Sequence, residues 1–365
     1  MKILITGNMG YVGPAVVKQL RRAYPSSTLI GFDTGFFAHC LTTRAPLPEC
    51  QVDVQYFGDV RKLPESLPEG VDAIVCLAAL SNDPIGNRYE EITIDINYRA
   101  SVELARCAKR AGVTSFAFAS SCSVYGSAES GPRNEDSAVN PLTVYARSKV
   151  MTESELERLA DSTFKVTALR FATACGMSDR LRLDLVLNDF VACAVSSGKI
   201  TILSDGTPWR PLINVKDMAR AFEWAVGRTS SNGGAFALLN AGSNSWNYQV
   251  RELAETVARV IPGTEVSINQ NAQPDKRSYR VDFSRFEKLA PNHQPACTLD
   301  DTIAELKAGL EAMGFRDPAF RDSWMIRLKM LDKHREDGLL NERLEWNGLA
   351  ESVPDTVAAT TGQAG

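Results

Sequence analysis

Through residue 171 the chain alternates short, almost unbroken apolar runs with longer stretches in which apolar positions recur at helical spacing. The runs are KILIT, STLIGFD, VDVQYFGDV, VDAIVCLAA, TSFAFASS and KVTALRF. Between them the pattern predicts helices up to Leu20, over about 95–111 and over about 145–160. Strands that are apolar on both faces and separated by helices form a parallel sheet covered on both sides, joined by right-handed crossovers. The predicted fold class is α/β, a doubly wound parallel sheet.

After Phe171 the rhythm changes. Residues 180–197 read as mixed loop and helix, followed by the strand KITILSDG, the helix NVKDMARAFEWAV and one more sheet strand, AFALLNAG. From about 245 come a helix (NYQVRELAETVARVI), a strand (EVSIN) and several helical pieces. The pattern predicts one domain from residues 1–172 with about 214–243, and a smaller mixed α/β lobe from about 173–213 and 244–346. The charged, periodic stretch 315–346 is expected to be a helix packed on that lobe, with no chemistry assigned to it. Residues 351–365 are small, polar and unpatterned, which predicts a disordered tail.

Composition narrows the function. A net charge of -4 without a basic run argues against nucleic acid as a main partner. No run approaches the ~18 apolar residues of a membrane span, and MKILITGNMG enters a strand at once rather than a signal peptide. The 8 cysteines are scattered without a CxxC pair, and the 3 histidines, His39, His293 and His334, stand far from other ligand types. Reduced thiols, a cytoplasmic location and no metal site are expected.

Residues 6–13 read TGNMGYVG, with Gly7, Gly10 and Gly13 evenly spaced between a strand and a helix. An ordinary strand–helix turn could look the same, but each glycine has a use at a dinucleotide site. Gly7 permits the tight turn, Gly10 lets backbone approach a pyrophosphate, and Gly13 lets helix and strand pack closely. Free N–H groups and the positive helix end then hold the phosphates, with Tyr11 and Val12 in the turn. Asp33 ends the second strand, where a carboxylate accepts from ribose hydroxyls and repels a 2′-phosphate, favouring NAD over NADP. Asp59, with Val60 beside it in FGDV, is placed to meet the adenine edge. The sheet is then Rossmann-type and the cofactor NAD.

With these residues the chain resembles the extended short-chain dehydrogenase/reductase family, in its nucleotide-sugar epimerase/dehydratase branch. The matching pieces are TGNMGYVG, Asp33, FGDV, CLAAL, ASSCSVYG, YARSK, LRF and PWRPLINVKD, over residues 1–289. The resemblance adds Leu77, Ala78, Ala79 and Asn97 to the cofactor site, and implies that Tyr145 is the catalytic phenol with Lys149 its partner. A free phenol, with a pKa of about 10, is a poor base at neutral pH. An ammonium one helical turn away and a positive nicotinamide ring both favour phenolate, which could then take a proton from a sugar hydroxyl as hydride leaves the same carbon. Ser121 is expected to hydrogen-bond the reacting oxygen. Family dehydratases carry an Asp-Glu pair directly after that hydroxyl residue; this chain has Cys122 and Ser123, which disfavours 4,6-dehydration.

For the substrate, the resemblance implies that Arg210 grips a nucleotide diphosphate, a task suited to a guanidinium fork. Arg277 is a second candidate. Arg180, Arg182 and Asn188 are expected near the sugar, with Ser81, Ser123 and Thr173 lining its pocket. Thr173 replaces an Asn common in relatives, and Asn214 a His, so the nucleotide is left open. The leading expectation is an NAD-dependent nucleotide-sugar epimerase acting by transient oxidation at C4. The alternatives are a reductase or dehydrogenase of a keto nucleotide sugar, and a non-catalytic dinucleotide-binding regulator. A homodimer is expected through the helices from about 95 and from 145, each showing an apolar stripe outward, as in LARCAKRA.

Overall fold

The apolar runs form one sheet in this computed structural model, which describes residues 1–43, 46–269 and 278–348. Arg277 and the tail 351–365 lie outside the described residues. The strands are β1 (Lys2–Thr6), β2 (Thr28–Asp33), β3 (Val54–Phe57), β4 (Ala73–Cys76), β5 (Ser115–Ser121), β6 (Ser127–Arg133), β7 (Lys165–Phe171) and β8 (Thr173–Cys175). They continue as β9 (Lys199–Ile202), β10 (Trp209–Asn214), β11 (Phe236–Ala241), β12 (Asn247–Gln249), β13 (Glu265–Ile268) and β14 (Ser278–Val281). The helices are α1 (Gly13–Ala23), α2 (Asp83–Arg88), α3 (Glu90–Ile94), α4 (Ser101–Arg110), α5 (Val144–Leu159) and α6 (Val186–Ser197). They end with α7 (Val215–Gly227), α8 (Val250–Val260), α9 (Ser284–Leu289), α10 (Leu299–Ala312) and α11 (Arg327–Glu336).

Seven strands pair in the order β11-β7-β5-β4-β1-β2-β3, every pair parallel. Alternation along the strands buries both faces. Leu4, Ile74, Phe116 and Val166 pack with Leu104 and Leu156 on one side, while Ile3, Val75, Ala117 and Leu169 pack with Val16, Leu20 and Phe222 on the other. After β3 the chain crosses back to β4 on the far side of β1, so the sheet has its switch point between β1 and β4. Open α/β sheets bind ligands at the carboxyl ends of the strands there. The smaller elements gather nearby, with β10 between β8 and β12, β9 beside β13, and β6 beside β14. Helix α6 packs on α8 and α10.

Two expectations are corrected. The stretch 315–346 holds one regular helix longer than a single turn, α11; its first part packs on α6 of the second lobe as expected, with Arg321 donating to Asp189 at 2.8 and 2.7 Å, but from α11 onward it packs on the Rossmann half. Leu331, Leu340 and Leu344 join a cluster with Phe36, Leu80, Ile85, Tyr89 and Ile96. Trp346 Nε1 donates to the Thr34 carbonyl at 2.6 Å, His334 Nε2 to the Phe36 carbonyl at 3.0 Å, and Arg61 Nη1 to the Arg343 carbonyl at 2.7 Å. We call this segment the strap. A periodic pattern tells which face of a helix is apolar, not which surface will take it. The second correction concerns LARCAKRA: Leu104, Ala105 and Ala108 are buried against the sheet, and α4 turns Glu103, Arg106 and Arg110 outward.

Among the described residues no helix is long and apolar enough to cross a membrane, and no cluster of His, Cys, Asp and Glu could hold a metal ion.

Candidate active site

The loops at the carboxyl ends of β1, β2, β4, β5 and β7 open into one cavity of about 900 Å³. Gly7 has a φ of 78°, and a Cβ there would sit 2.6 Å from the Ala78 amide nitrogen. A Cβ on Gly13 would collide with the Asn8 carbonyl. At Gly10 it would meet only the Gly7 carbonyl oxygen, at 3.3 Å. The turn therefore packs tightly on the protein side and leaves bare backbone toward the cavity at the start of α1, the arrangement a pyrophosphate needs. Asp33 accepts from the amides of Met9 (3.0 Å) and Gly35 (2.7 Å). Burial raises its pKa, with those two amides opposing. A carboxylate offers about four lone-pair sites, so room remains for a ribose. These features fit NAD.

Tyr11, Val12, Asp59, Val60, Leu77, Ala78 and Ala79 also line the cavity. Asp59 is held by Arg61, whose Nε donates at 3.0 and 2.9 Å, and it caps the turn Val60–Lys62. Asn97 does not line it. It stands one layer behind in a π-helical turn, accepting from the Leu80 amide (2.8 Å) and donating to its carbonyl (3.0 Å). Asn97 thus positions the loop after β4.

Thr143 caps α5, taking the Ala146 amide at 3.2 Å, so Tyr145 and Lys149 fall in the first turns on the cavity side. Ser121, the last residue of β5, lines the same wall beside the Tyr145 side chain, its Oγ accepting from the Ser123 amide at 3.2 Å. Burial pushes the phenol up to about 12; Ser121 opposes this and the nearby Asp83 reinforces it. Lys149 Nζ lies 4.7 Å over the Phe118 ring and 5.5 Å over that of Tyr145, and burial lowers it to about 8. The lowering of the phenol expected from Lys149 is therefore not seen in the protein alone, where desolvation dominates. A further positive charge is required, and a nicotinamide ring supplies one.

On the substrate side, Arg182 donates to Asp184 (2.6 Å) and to Ser81 Oγ (2.8 Å), while Asn82 Nδ2 donates to Asp184 (2.7 Å). Ser81, Arg182, Ser123, Thr173 and Arg210 all line the cavity. Arg180 does not; it is buried in a fork with Glu49 (2.7 and 3.1 Å). Asn188 also stands outside, donating to the Tyr11 hydroxyl (2.9 Å) and accepting from the Gly176 amide (3.0 Å). Asn214 caps α7 and donates to Thr302 Oγ1 at 3.0 Å. Cys122 is buried with its thiol on the Arg170 carbonyl at 3.1 Å, away from the cavity. The sequence reading missed Phe36, Asp83, Arg321 and Arg327, all on the cavity wall. Only Asp83 carried a local signal, in the helix-start sequence Asn82-Asp83-Pro84 directly after CLAAL.

A doubly wound sheet whose switch-point cleft carries a glycine turn, a strand-end aspartate and a Tyr-Lys helix defines a dinucleotide-dependent enzyme of the Rossmann type. The family model described as the NAD dependent epimerase/dehydratase family matches residues 3–241, and the chain belongs to that family. A UDP-glucose 4-epimerase of Neisseria gonorrhoeae is 28% identical over 89% of this chain and 96% of that protein. The solved structure of MoeE5 in complex with UDP-glucose and NAD is 25% identical, with a TM-score of 0.72 over 86% of this chain and 99% of its own. TunA, described as an NDP-hexosamine 5,6-dehydratase, shares the fold at 21% identity and a TM-score of 0.72, covering 87% of this chain and 99% of its own.

Proposed function

We propose that this chain is an NAD-dependent epimerase of a nucleotide diphosphate sugar, oxidising the sugar transiently at C4 and reducing it again from the other face. The observation that carries the reading is the placing of Tyr145, Lys149 and Ser121 on one wall of the cavity that also holds the glycine turn and Asp33. Bound NAD supplies the hydride acceptor and a positive charge beside the phenol. Tyr145 takes the C4 hydroxyl proton while the C4 hydrogen leaves as hydride, and Ser121 donates to the oxygen as it becomes a ketone. Lys149 would hold positive charge near the phenol, its Nζ 5.5 Å from the ring centroid, and would bond the nicotinamide ribose of bound NAD. Both hydrogens return after the keto sugar rotates, so no net redox change remains.

Arg210 and Arg182 are the cavity cations we assign to the substrate's phosphates and sugar. 4,6-Dehydration is disfavoured, because the positions after Ser121 carry a buried thiol and a hydroxyl instead of two carboxyl groups. We assign NAD binding to 1–172 with 214–243, and the substrate lobe to 173–213 with the segments after 244, except the strap. Eight unpaired cysteines support a reducing, cytoplasmic setting. A homodimer through α4 and α5 is also proposed, resting on the family resemblance and not on an exposed apolar stripe; light scattering that reports a monomer would remove it.

The test is to incubate the full chain with UDP-glucose and UDP-galactose, without added cofactor, and to resolve the products by chromatography. Interconversion that stops in Tyr145→Phe supports the epimerase. An unsaturated product, or turnover only with stoichiometric added NAD, contradicts it.

A further inference from the structure

Five arginines are buried among the described residues: Arg170, Arg180, Arg182, Arg228 and Arg327. Three have carboxylate partners, Arg170 with Glu153, Arg180 with Glu49 and Arg182 with Asp184. Arg228 instead donates to Thr167 Oγ1 (2.6 Å) and to backbone carbonyls, including those of Val166 (2.6 Å) and Gly234 (2.7 Å). Arg327 differs. It is 2% exposed and lines the cavity, and no carboxylate lies within ion-pair distance among the described residues. Its Nη2 donates to the Arg180 carbonyl at 2.7 Å, and its guanidinium lies 4.5 Å from the Phe37 ring centroid. Its Nη1 is buried without a hydrogen-bond partner among the described residues. A charged donor left unmet in the interior carries a large desolvation penalty, which a ligand oxyanion would remove.

Its neighbours indicate where an oxyanion would bind. Phe37 and Cys40 follow Asp33 in the loop after β2, at the end of the cavity suited to the adenosine ribose. On the other side Arg327 feels the charges of Arg182 and Asp184, and Arg182 in turn feels Tyr145. Between the ribose end and the nicotinamide end of a dinucleotide lies its pyrophosphate. Burial also lowers the pKa of Arg327 to about 10, so it stays charged at neutral pH.

We propose that Arg327 is a pyrophosphate-binding residue for the cofactor, carried into the cleft by the strap and facing phosphate oxygens that the glycine turn does not cover. The proposal rests on the reading of this cavity as the NAD site. It gives the C-terminal segment, which lies beyond the matched family region of 3–241, a part in cofactor retention.

The test is calorimetric titration of the cofactor-stripped full chain, wild type and Arg327→Met, with NAD, ADP-ribose and UDP. Arg327→Met is expected to weaken NAD and ADP-ribose alike, on the order of tenfold to a hundredfold, as befits a charge-assisted hydrogen bond. UDP binding should not change, and the melting temperature of the stripped protein should be equal or higher. Arg327→Lys keeps the charge without the fork and should lose less; it also serves if the methionine variant does not fold. Unchanged NAD and ADP-ribose affinity in either variant overturns the proposal. So does a loss confined to UDP, which would give the arginine to the substrate's phosphates. Wild-type protein that binds neither NAD nor ADP-ribose fails the cofactor reading itself, a different result from a failure of Arg327 alone.

Discussion

Tyr145 and Lys149 are held in the wrong charge balance for catalysis until something positive joins them. Burial pushes the phenol up to about 12 and the ammonium down to about 8. Tyr145→Phe is therefore expected to reduce turnover by roughly 10²–10⁴-fold, the scale of a lost acid–base group, while NAD affinity stays within about twofold. Steady-state assay and titration check both. Lys149 makes a separate prediction about stability. Its folded pKa lies below the ordinary 10.5, so the buried charge is destabilising at pH below about 8, and the penalty fades as pH rises from about 8 to 10.5. The shift corresponds to on the order of 3 kcal/mol. In cofactor-stripped protein Lys149→Met should raise the unfolding free energy at pH 7, and the gain should shrink by pH 10. The pairing of Tyr145 with Lys149 was legible in YARSK because a helix brings positions four apart together. The direction of the phenol's shift was not, since desolvation depends on walls contributed by other elements.

At the scale of the element, the glycine turn and the β5 end do most to shape the site. Gly13→Ala puts a methyl into the Asn8 carbonyl and should destabilise the fold by about 1–3 kcal/mol. Gly10→Ala meets only the Gly7 carbonyl, so its stability should change by less than roughly 1 kcal/mol while NAD affinity falls. Thermal melts beside NAD titrations separate the two. Beneath Ser121, Glu153 binds Arg170 at 2.7 Å and accepts from Ser120. Arg170→Met strands that carboxylate and should cost about 3–5 kcal/mol, read by denaturant unfolding. The strands and their turn could be read from the sequence because both faces of the sheet are buried and each βα turn follows an apolar run. The irregular segment after β8 could not. Arg180 and Arg182 stand two apart with no periodicity to sort them, and only Arg182 lines the cavity.

At the scale of the whole molecule, the strap closes on a surface formed about 300 residues earlier in the chain, joining Trp346 to Thr34 and His334 to Phe36. Nothing local in 315–346 encodes these partners, Asp189 of α6 for Arg321 and the loop after β2 for the part that carries Arg327, which is why both arginines escaped a reading that found the glycine turn, Asp33 and Tyr145. Trp346 packs on Phe36 and His334 with ring centroids 5.9 and 5.2 Å apart. Trp346→Ala should speed amide exchange through α11 while the central sheet keeps its protection, because the cluster under the strap is small and separate from the main core. The measurement that tests the account most directly is to denature the purified full chain and quantify the dinucleotide it releases. An enzyme that oxidises and re-reduces one substrate in place, with a buried arginine set against the cofactor, should yield close to one NAD per chain. Protein that purifies empty, binds NAD only weakly and consumes it in step with substrate would contradict the epimerase.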